Sequence, residues 1–169
     1  MSPIAHRLSI PVYLRGLGVL SSYLDKAEAF AASRGVDAKT LVDARLAPDM
    51  LNLAGQIQRA SDTSKNAIAR LTGGAAPRFE DNETSIAELR ERIAKTRAFL
   101  QSVDEPAFDG SETREIALKT GKLDVTFTGL DFLLQFALPN FFFHVATAHA
   151  ILRQQGVPVG KTDYLGPFA

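Results

Sequence analysis

The sequence contains no cysteine, and its charges cancel. Without cysteine there are no disulfide bonds, no thiolate metal ligands and no thiol nucleophile. Nineteen Lys and Arg residues balance nineteen Asp and Glu residues, so the formal net charge is zero. A neutral chain lacks the broad positive field that non-specific binding to nucleic acid or to an anionic membrane surface requires. We therefore expect neither nucleic acid nor a membrane as a partner.

Long hydrophobic runs are also missing. The longest, residues 132–137, is interrupted by Gln135 and followed closely by Pro139 and Asn140, so no segment is long enough to span a bilayer. The first residues lack the apolar stretch of a signal peptide. We expect a single domain over residues 1–169, large enough for one hydrophobic core and located in the cytoplasm.

Common catalytic motifs are absent as well. The chain has no glycine-rich phosphate loop, no GxSxG nucleophile elbow and no HExxH zinc motif. It also lacks the paired Glu-x-x-His motifs of di-iron helical bundles. No catalytic residue is therefore assigned by motif, and the candidates must come from polar residues on apolar faces.

Four amphipathic stretches predict four long helices, because their apolar residues recur at three- and four-residue spacing. Three of them cover about residues 10–34, 48–71 and 128–156. The fourth begins at a capping box formed by Ser85 and Glu88. The first stretch has Ser9 as its predicted N-cap and the second has Pro48 in its predicted first turn.

A different pattern occupies residues 114–127, where apolar and polar residues alternate. Ile116 and Leu118 precede Gly121-Lys122, and a second alternating segment follows. This pattern predicts two short strands joined by a two-residue turn. Four long helices, one hairpin between the third and fourth helices, and no βαβ repeat predict an all-α, up-down four-helix bundle.

The fourth predicted helix carries the main candidate site. Asn140 and His144 are four positions apart, so they lie one above the other on an otherwise apolar face. Pro139 lies inside the same helix and predicts a kink near residues 134–135, which would open space beside Asn140. Two interpretations of His144 stay open. It is either a hydrogen-bonded core histidine or a ligand-binding or basic group in a pocket between helices.

The second predicted helix supplies the other polar candidates. Gln56 and Gln58 cannot point the same way, and whichever points inward places an amide in the core that needs partners. Asp62 lies one turn beyond Gln58. The remaining histidines are expected to play no part: His6 is in a mobile N-terminus, and His149 is turned about 140° away from His144.

Five stretches carry a resemblance to a known group of proteins: RLAPDM (45–50), GQIQRASD (55–62), ARLTG (69–73), TFTGLDFL (126–133) and LPNFFFH (138–144). With them the chain resembles the DinB/YfiT-like superfamily, and more closely an uncharacterised domain-of-unknown-function branch of it. The resemblance spans nearly the whole chain. It implies a four-helix bundle that is often a homodimer, and it brings no known activity.

The same resemblance implies a metal held by three histidines, one on the second helix and an HxxxH pair on the last. His144 falls where the second histidine of that pair lies, and Asn140 stands in place of the first. No histidine lies near positions 56–58. One imidazole and neutral amides are poor ligands for zinc or nickel. We therefore expect no metal, and a polar pocket of Gln56 or Gln58 with Asn140 and His144 that binds a small molecule or is purely structural.

An enzyme is the alternative that the resemblance leaves open. Members of the superfamily include transferases and isomerases that use the metal to activate a small thiol. By resemblance, His144 would be a zinc or nickel ligand or a general base. That role needs a further strong ligand or acid, for which Asp49 and Asp62 are the candidates.

Overall fold

A computed structural model describes residues 3–121 and 123–167. Within these residues four long helical segments form a bundle with a two-stranded hairpin between the third and the fourth, as predicted. The long segments are α1 (Ile4–Arg34), α3 (Leu53–Thr72), α4 (Ile86–Gln101) and a composite helix made of α5 (Gly129–Asp131), a π-helical turn (Phe132–Ala137) and α6 (Leu138–Gln154).

Shorter elements connect and close the bundle. They are α2 (Lys39–Val42), a 3₁₀ turn (Glu105–Phe108), the strands β1 (Glu115–Thr120) and β2 (Leu123–Thr128), and α7 (Lys161–Leu165). No helix in the described part of the chain is both long and apolar enough to cross a membrane.

Two helix starts differ from the prediction. The first helix begins at Ile4 rather than near residue 10, and the hydroxyl of Ser9 donates to the carbonyl of Ala5 instead of capping. Pro11 therefore lies inside the helix, where it removes one backbone hydrogen bond. Ala5, Ser9 and Ile10 are all buried in the bundle, and this packing holds the additional turns in helical form.

The second long helix, α3, begins at Leu53 and not at Pro48. Asn52 is the N-cap, and its side chain accepts a hydrogen bond from the Gly55 amide at 2.9 Å. The preceding residues form a loop that is closed by an antiparallel bridge between Arg45 and Asn52. An asparagine cap satisfies a backbone N–H that a proline start would leave without a partner.

The predicted cap of α4 and the predicted hairpin are confirmed. Ser85 and Glu88 form the capping box in both directions. In the hairpin the pairing runs to Thr120 opposite Leu123, so two residues make the turn. Gly121 has a φ of 56°, a left-handed conformation that favours glycine. The other turn residue, Lys122, lies outside the described residues.

Where the sequence predicts a kink, the last helix forms a π-helical turn over Phe132–Ala137. It spans the predicted position at residues 134–135 and lies just before Pro139. Since proline has no N–H, the preceding turn of the helix loses one of its usual hydrogen-bond donors. A π-helical turn is a common way for a helix to accommodate an irregularity of this kind, and such turns are frequent at functional sites.

Phe141 fixes the contact between α1 and α6. Its ring is fully buried and packs edge-to-face on Tyr13, with the ring centroids 4.9 Å apart. A Cβ atom built at Gly16 would lie 2.3 Å from the Cε1 atom of Phe141. Glycine is therefore required at position 16 for the two helices to approach this closely. At Gly18, by contrast, the nearest atom is Arg97 Nη1 at 3.4 Å, which is an ordinary van der Waals contact.

The two glycines of α1 should respond oppositely to alanine. We expect Gly16→Ala to lower the free energy of unfolding by about 1–3 kcal/mol, because the Phe141 ring must move. Gly18→Ala should leave stability unchanged or raise it by up to about 1 kcal/mol, since alanine is the better helix former. Urea unfolding of both variants measures this difference. Equal effects of the same sign would show that Phe141 does not pack on Gly16.

Candidate functional site

The candidate site is a groove between α3 and the composite helix. Gln56 contacts His144 and, further along α3, Thr63 contacts Asn140. Residue numbers rise along one helix as they fall along the other, so the two helices run antiparallel. Side chains from both helices line a groove of about 340 Å³, which extends as far as the hairpin.

Gln56 determines which nitrogen of His144 carries the proton. The Gln56 side chain is 2% exposed, and its Nε2 donates to the Leu51 carbonyl at 3.1 Å. Its Oε1 is therefore an acceptor, and it lies 2.8 Å from Nδ1 of His144. Nδ1 must carry the proton and donate. Nε2 of the same ring then keeps its lone pair.

His144 is neutral at physiological pH. Burial of the ring, followed by the positive charge of Arg59, lowers the pKa of His144 to about 4. Both causes disfavour the imidazolium form. His144 lines the groove, and among the described residues its Nε2 has no hydrogen-bond partner. The site therefore presents an uncharged hydrogen-bond acceptor to whatever enters the groove.

Asn140 lies one turn from His144 on the same face, as the spacing predicted, but it has its own partner. Its Nδ2 donates to the Thr63 hydroxyl at 3.0 Å. Both residues line the groove. The structure thus brings Gln56, Asn140 and His144 together along one seam, as two separate hydrogen-bonded pairs.

Gln58 lies elsewhere. It is buried, and its Nε2 donates to Glu83 at 2.9 Å. Glu83 belongs to a cluster around Arg92, whose side chain is 1% exposed and pairs with Glu83, Asp62 and Asp81 at 2.9, 2.9 and 3.0 Å. The structure therefore does not bring Gln58 into the groove. Since α3 is buried on nearly every side, both glutamines are buried, each with a different set of partners.

The two acidic candidates are not free to act on a ligand. Asp62 lines the groove, but Oδ1 pairs with Lys65 and Arg92 at 2.8 and 2.9 Å, and Oδ2 pairs with Arg59 at 2.9 Å. Asp49 is exposed in the loop before α3. Three cations on one carboxylate hold Asp62 in place as a structural partner.

Two other histidines take up positions that the sequence did not predict. His6 lies inside α1, with its ring 5.1 Å from that of Phe108, and not in a mobile terminus. The Nδ1 atom of His149 lies 2.8 Å from the hydroxyl of Tyr23, which is buried. Both contacts involve residues distant in sequence, so local pattern could not reveal them.

The sequence did not single out Arg59 and Thr63, although a signal was present. Gln56, Arg59, Thr63, Asn66 and Arg70 recur at three- and four-residue spacing, which places them on one face of α3. A polar stripe on a helix that is otherwise buried indicates that this face lines a groove. What the groove can bind depends on which helix lies opposite.

These residues do not fit the zinc or nickel site that the resemblance implied. Among residues 3–121 and 123–167, no three His, Asp or Glu side chains are grouped to hold a metal ion. The Gln56 oxygen is directed at the protonated nitrogen of His144 and not at its lone pair. The adjacent guanidinium of Arg59 would repel a cation. A divalent metal needs more imidazole or carboxylate ligands than this.

Comparison with known proteins agrees with the fold. No curated protein matches the chain. A solved structure described as a DinB family member protein from Shewanella denitrificans is similar to it, with 42% sequence identity and a TM-score of 0.91. The match covers 98% of this chain and 93% of that one. The DinB-like character expected from the sequence motifs is therefore confirmed.

The family itself follows from the extent of the sequence match. The family described as "Domain of unknown function (DUF1993)" matches residues 5–165, which is nearly the whole chain. The protein therefore belongs to the DUF1993 family, whose description is that of a domain of unknown function.

Proposed function

We propose that this protein is a metal-free bundle that binds a small molecule in the groove between α3 and α6. The observation that carries the proposal is the Gln56–His144 pair, which holds a neutral imidazole with its Nε2 lone pair free at the groove. An acceptor fixed in this way can receive a hydrogen bond from an O–H or N–H of a ligand.

The local chemistry supports binding without a metal. To bind a metal, Gln56, Asn140 and Thr63 would have to give up the hydrogen bonds that they already make. A buried pair that is already satisfied is costly to break. The groove therefore favours an organic ligand, which can add hydrogen bonds without breaking those already present.

An enzyme remains the alternative candidate, with His144 as a general base. The same Nε2 lone pair supports it, because a neutral histidine oriented by a buried amide is able to accept a proton from a substrate. The side chains that line the groove do not support an enzyme that uses a metal to activate a thiol. Asp62, the nearest acidic candidate, is neutralised by three cations.

The protein purified without a histidine tag should contain substoichiometric metal, and titrated zinc or nickel should not raise its melting temperature. One imidazole with amides gives too few strong ligands. Elemental analysis and thermal unfolding measure both effects. His149→Gln serves as the matched control, because it removes a histidine of the same helix outside the groove.

Stoichiometric metal that is lost in His144→Gln but kept in His149→Gln would contradict the metal-free proposal. It would instead support the enzyme alternative, with His144 as a ligand and amide oxygens completing an unusual coordination shell.

The ring of His144 should stay neutral from pH 7 to about pH 5 and should become protonated near pH 4. In the unfolded chain its pKa is about 6.5 and in the folded protein about 4, so between these values the unfolded state binds the proton more tightly. Stability should fall as the pH falls through this window. The slope from one group is at most about 1.4 kcal/mol per pH unit, and less here because the ring is partly accessible to water.

NMR of the ring nitrogens across this range measures the titration directly and shows which nitrogen is protonated. His144→Gln should lose part of the pH dependence of the free energy of unfolding. Titration of His144 near pH 6.5, or a proton on Nε2 at pH 7, would mean that Gln56 does not hold the ring as proposed.

We also propose that the protein acts as a homodimer. Phe143 on α6 is 56% exposed and Leu134 in the π-helical turn is 47% exposed, and contact with a second copy would remove this apolar surface from water. Light scattering should give twice the chain mass of 18.3 kDa, and Phe143→Ser should give a folded monomer. A wild-type monomer at micromolar concentration would contradict the dimer.

A further inference from the structure

The groove is much longer than the Gln56–His144 pair. Arg59 lies at one end beside His144, and Arg70 lies at the other end on the last turns of α3. The two arginines are eleven positions apart, which is about 16 Å along a helix axis. Lys119 of β1 also lines the end near Arg70. The hairpin therefore closes the groove with a cationic end.

The charges that line this groove are unequal. Its lining includes Arg59, Arg70 and Lys119, but Asp62 is its one carboxylate among the described residues. Asp62 is already paired with cations through both oxygens. No carboxylate of the groove is therefore left to neutralise the end formed by Arg70 and Lys119.

The cations at the hairpin end keep donors available for a ligand. Nη1 of Arg70 donates to the carbonyl of Ala117 at 3.2 Å, which orients the guanidinium over the hairpin. The other N–H groups of Arg70 remain available to donate to a ligand. Lys119 pairs with Asp124 across the strands at 3.4 Å, with both side chains exposed. An exposed pair of this kind is weak, so the ammonium group can exchange Asp124 for another anion.

Between the two ends the lining combines polar side chains of α3 and α6 with two phenylalanines of the composite helix. Phe132 and Phe136 line the groove with their rings stacked, 24° from parallel and with centroids 5.9 Å apart. Both come from the π-helical turn. Phe132 is 2% exposed and supports the half-buried ring of Phe136, so it is mainly Phe136 that offers aromatic surface between the acceptor at His144 and the cations at the hairpin.

We propose that the groove binds an elongated organic acid. Its carboxylate contacts Arg70 and Lys119, its apolar body lies along Phe136, and a hydroxyl or N–H group at its far end donates to Nε2 of His144. This inference rests on the proposed function, because it uses the same acceptor, and it adds the charge and the length of the ligand.

The experiment is calorimetric titration of the full chain with 3-(4-hydroxyphenyl)propanoate and two matched analogues. The methyl ester lacks the negative charge, and 3-phenylpropanoate lacks the hydroxyl donor. We expect the hydroxy acid to bind about tenfold more tightly than each analogue, because each analogue loses one of the two end interactions. Added NaCl should weaken binding of the acid and leave binding of the ester unchanged.

Variants should separate the two ends of the groove. Arg70→Gln and Lys119→Gln should each weaken the acid several-fold and leave the ester unchanged, whereas His144→Phe, which removes the acceptor, should weaken both. Lys95→Gln is the matched control, since it removes an exposed cation of α4 that pairs with Glu91. It should change nothing.

The outcomes distinguish the failure of this inference from that of the proposed function. If the ester binds as tightly as the acid, Arg70→Gln has no effect and His144→Phe still weakens both, the groove binds a neutral ligand and the organic-acid inference is overturned. If neither the acid nor the ester binds, both the inference and the proposed function fail for donors of this size.

Discussion

A buried amide has a donor and an acceptor that must both find partners, and at Gln56 the partner of the acceptor is the histidine that lines the groove. Its N–H group is bonded to the Leu51 carbonyl at the start of α3, and its oxygen is bonded to His144 on α6. Because leaving either group unpaired is costly, the amide orientation, the histidine tautomer and the register of the two helices are fixed together. The free nitrogen of His144 is the consequence of these constraints.

The neighbouring helix contact imposes a second constraint on the same segment. Phe141 follows Asn140 and packs onto Gly16 of α1. On the other side of Pro139, the helix widens into the π-helical turn that carries Phe132 and Phe136. A single stretch of chain therefore packs one face on α1, directs another toward α3, and changes its helical geometry between the two.

Most of the fold could be predicted from the sequence, because the apolar stripes, the Ser85–Glu88 cap and the hairpin alternation are local signals. The predicted starts of α1 and α3 were wrong because tertiary packing, which local sequence does not show, decides where each helix begins. Ser9 looked like a cap, but the burial of the preceding turn extends the helix beyond it. Pro48 looked like a first turn, but Asn52 makes the better cap after the Arg45–Asn52 bridge.

The candidate site could be predicted only in part from the sequence, for a similar reason. Spacing placed Asn140 and His144 on one face, but it could not choose between Gln56 and Gln58. That choice depends on which helix packs on each side of α3. Arg59 and Arg70 have the same limitation, since an exposed arginine and one that lines a groove read alike in a sequence.

The Arg92 cluster gives the groove one rigid wall. On one side α3 is held to α4 and to the loop before it through Asp62 and Glu83, and on the other side it is held to α6 through Gln56 and Thr63. Sliding or rotating α3 would break polar contacts on both sides at once. Any widening of the groove would then come from the opposite wall, where the hairpin and the π-helical turn meet. Movement of that wall, and not movement of α3, would set the rate at which a bound molecule leaves.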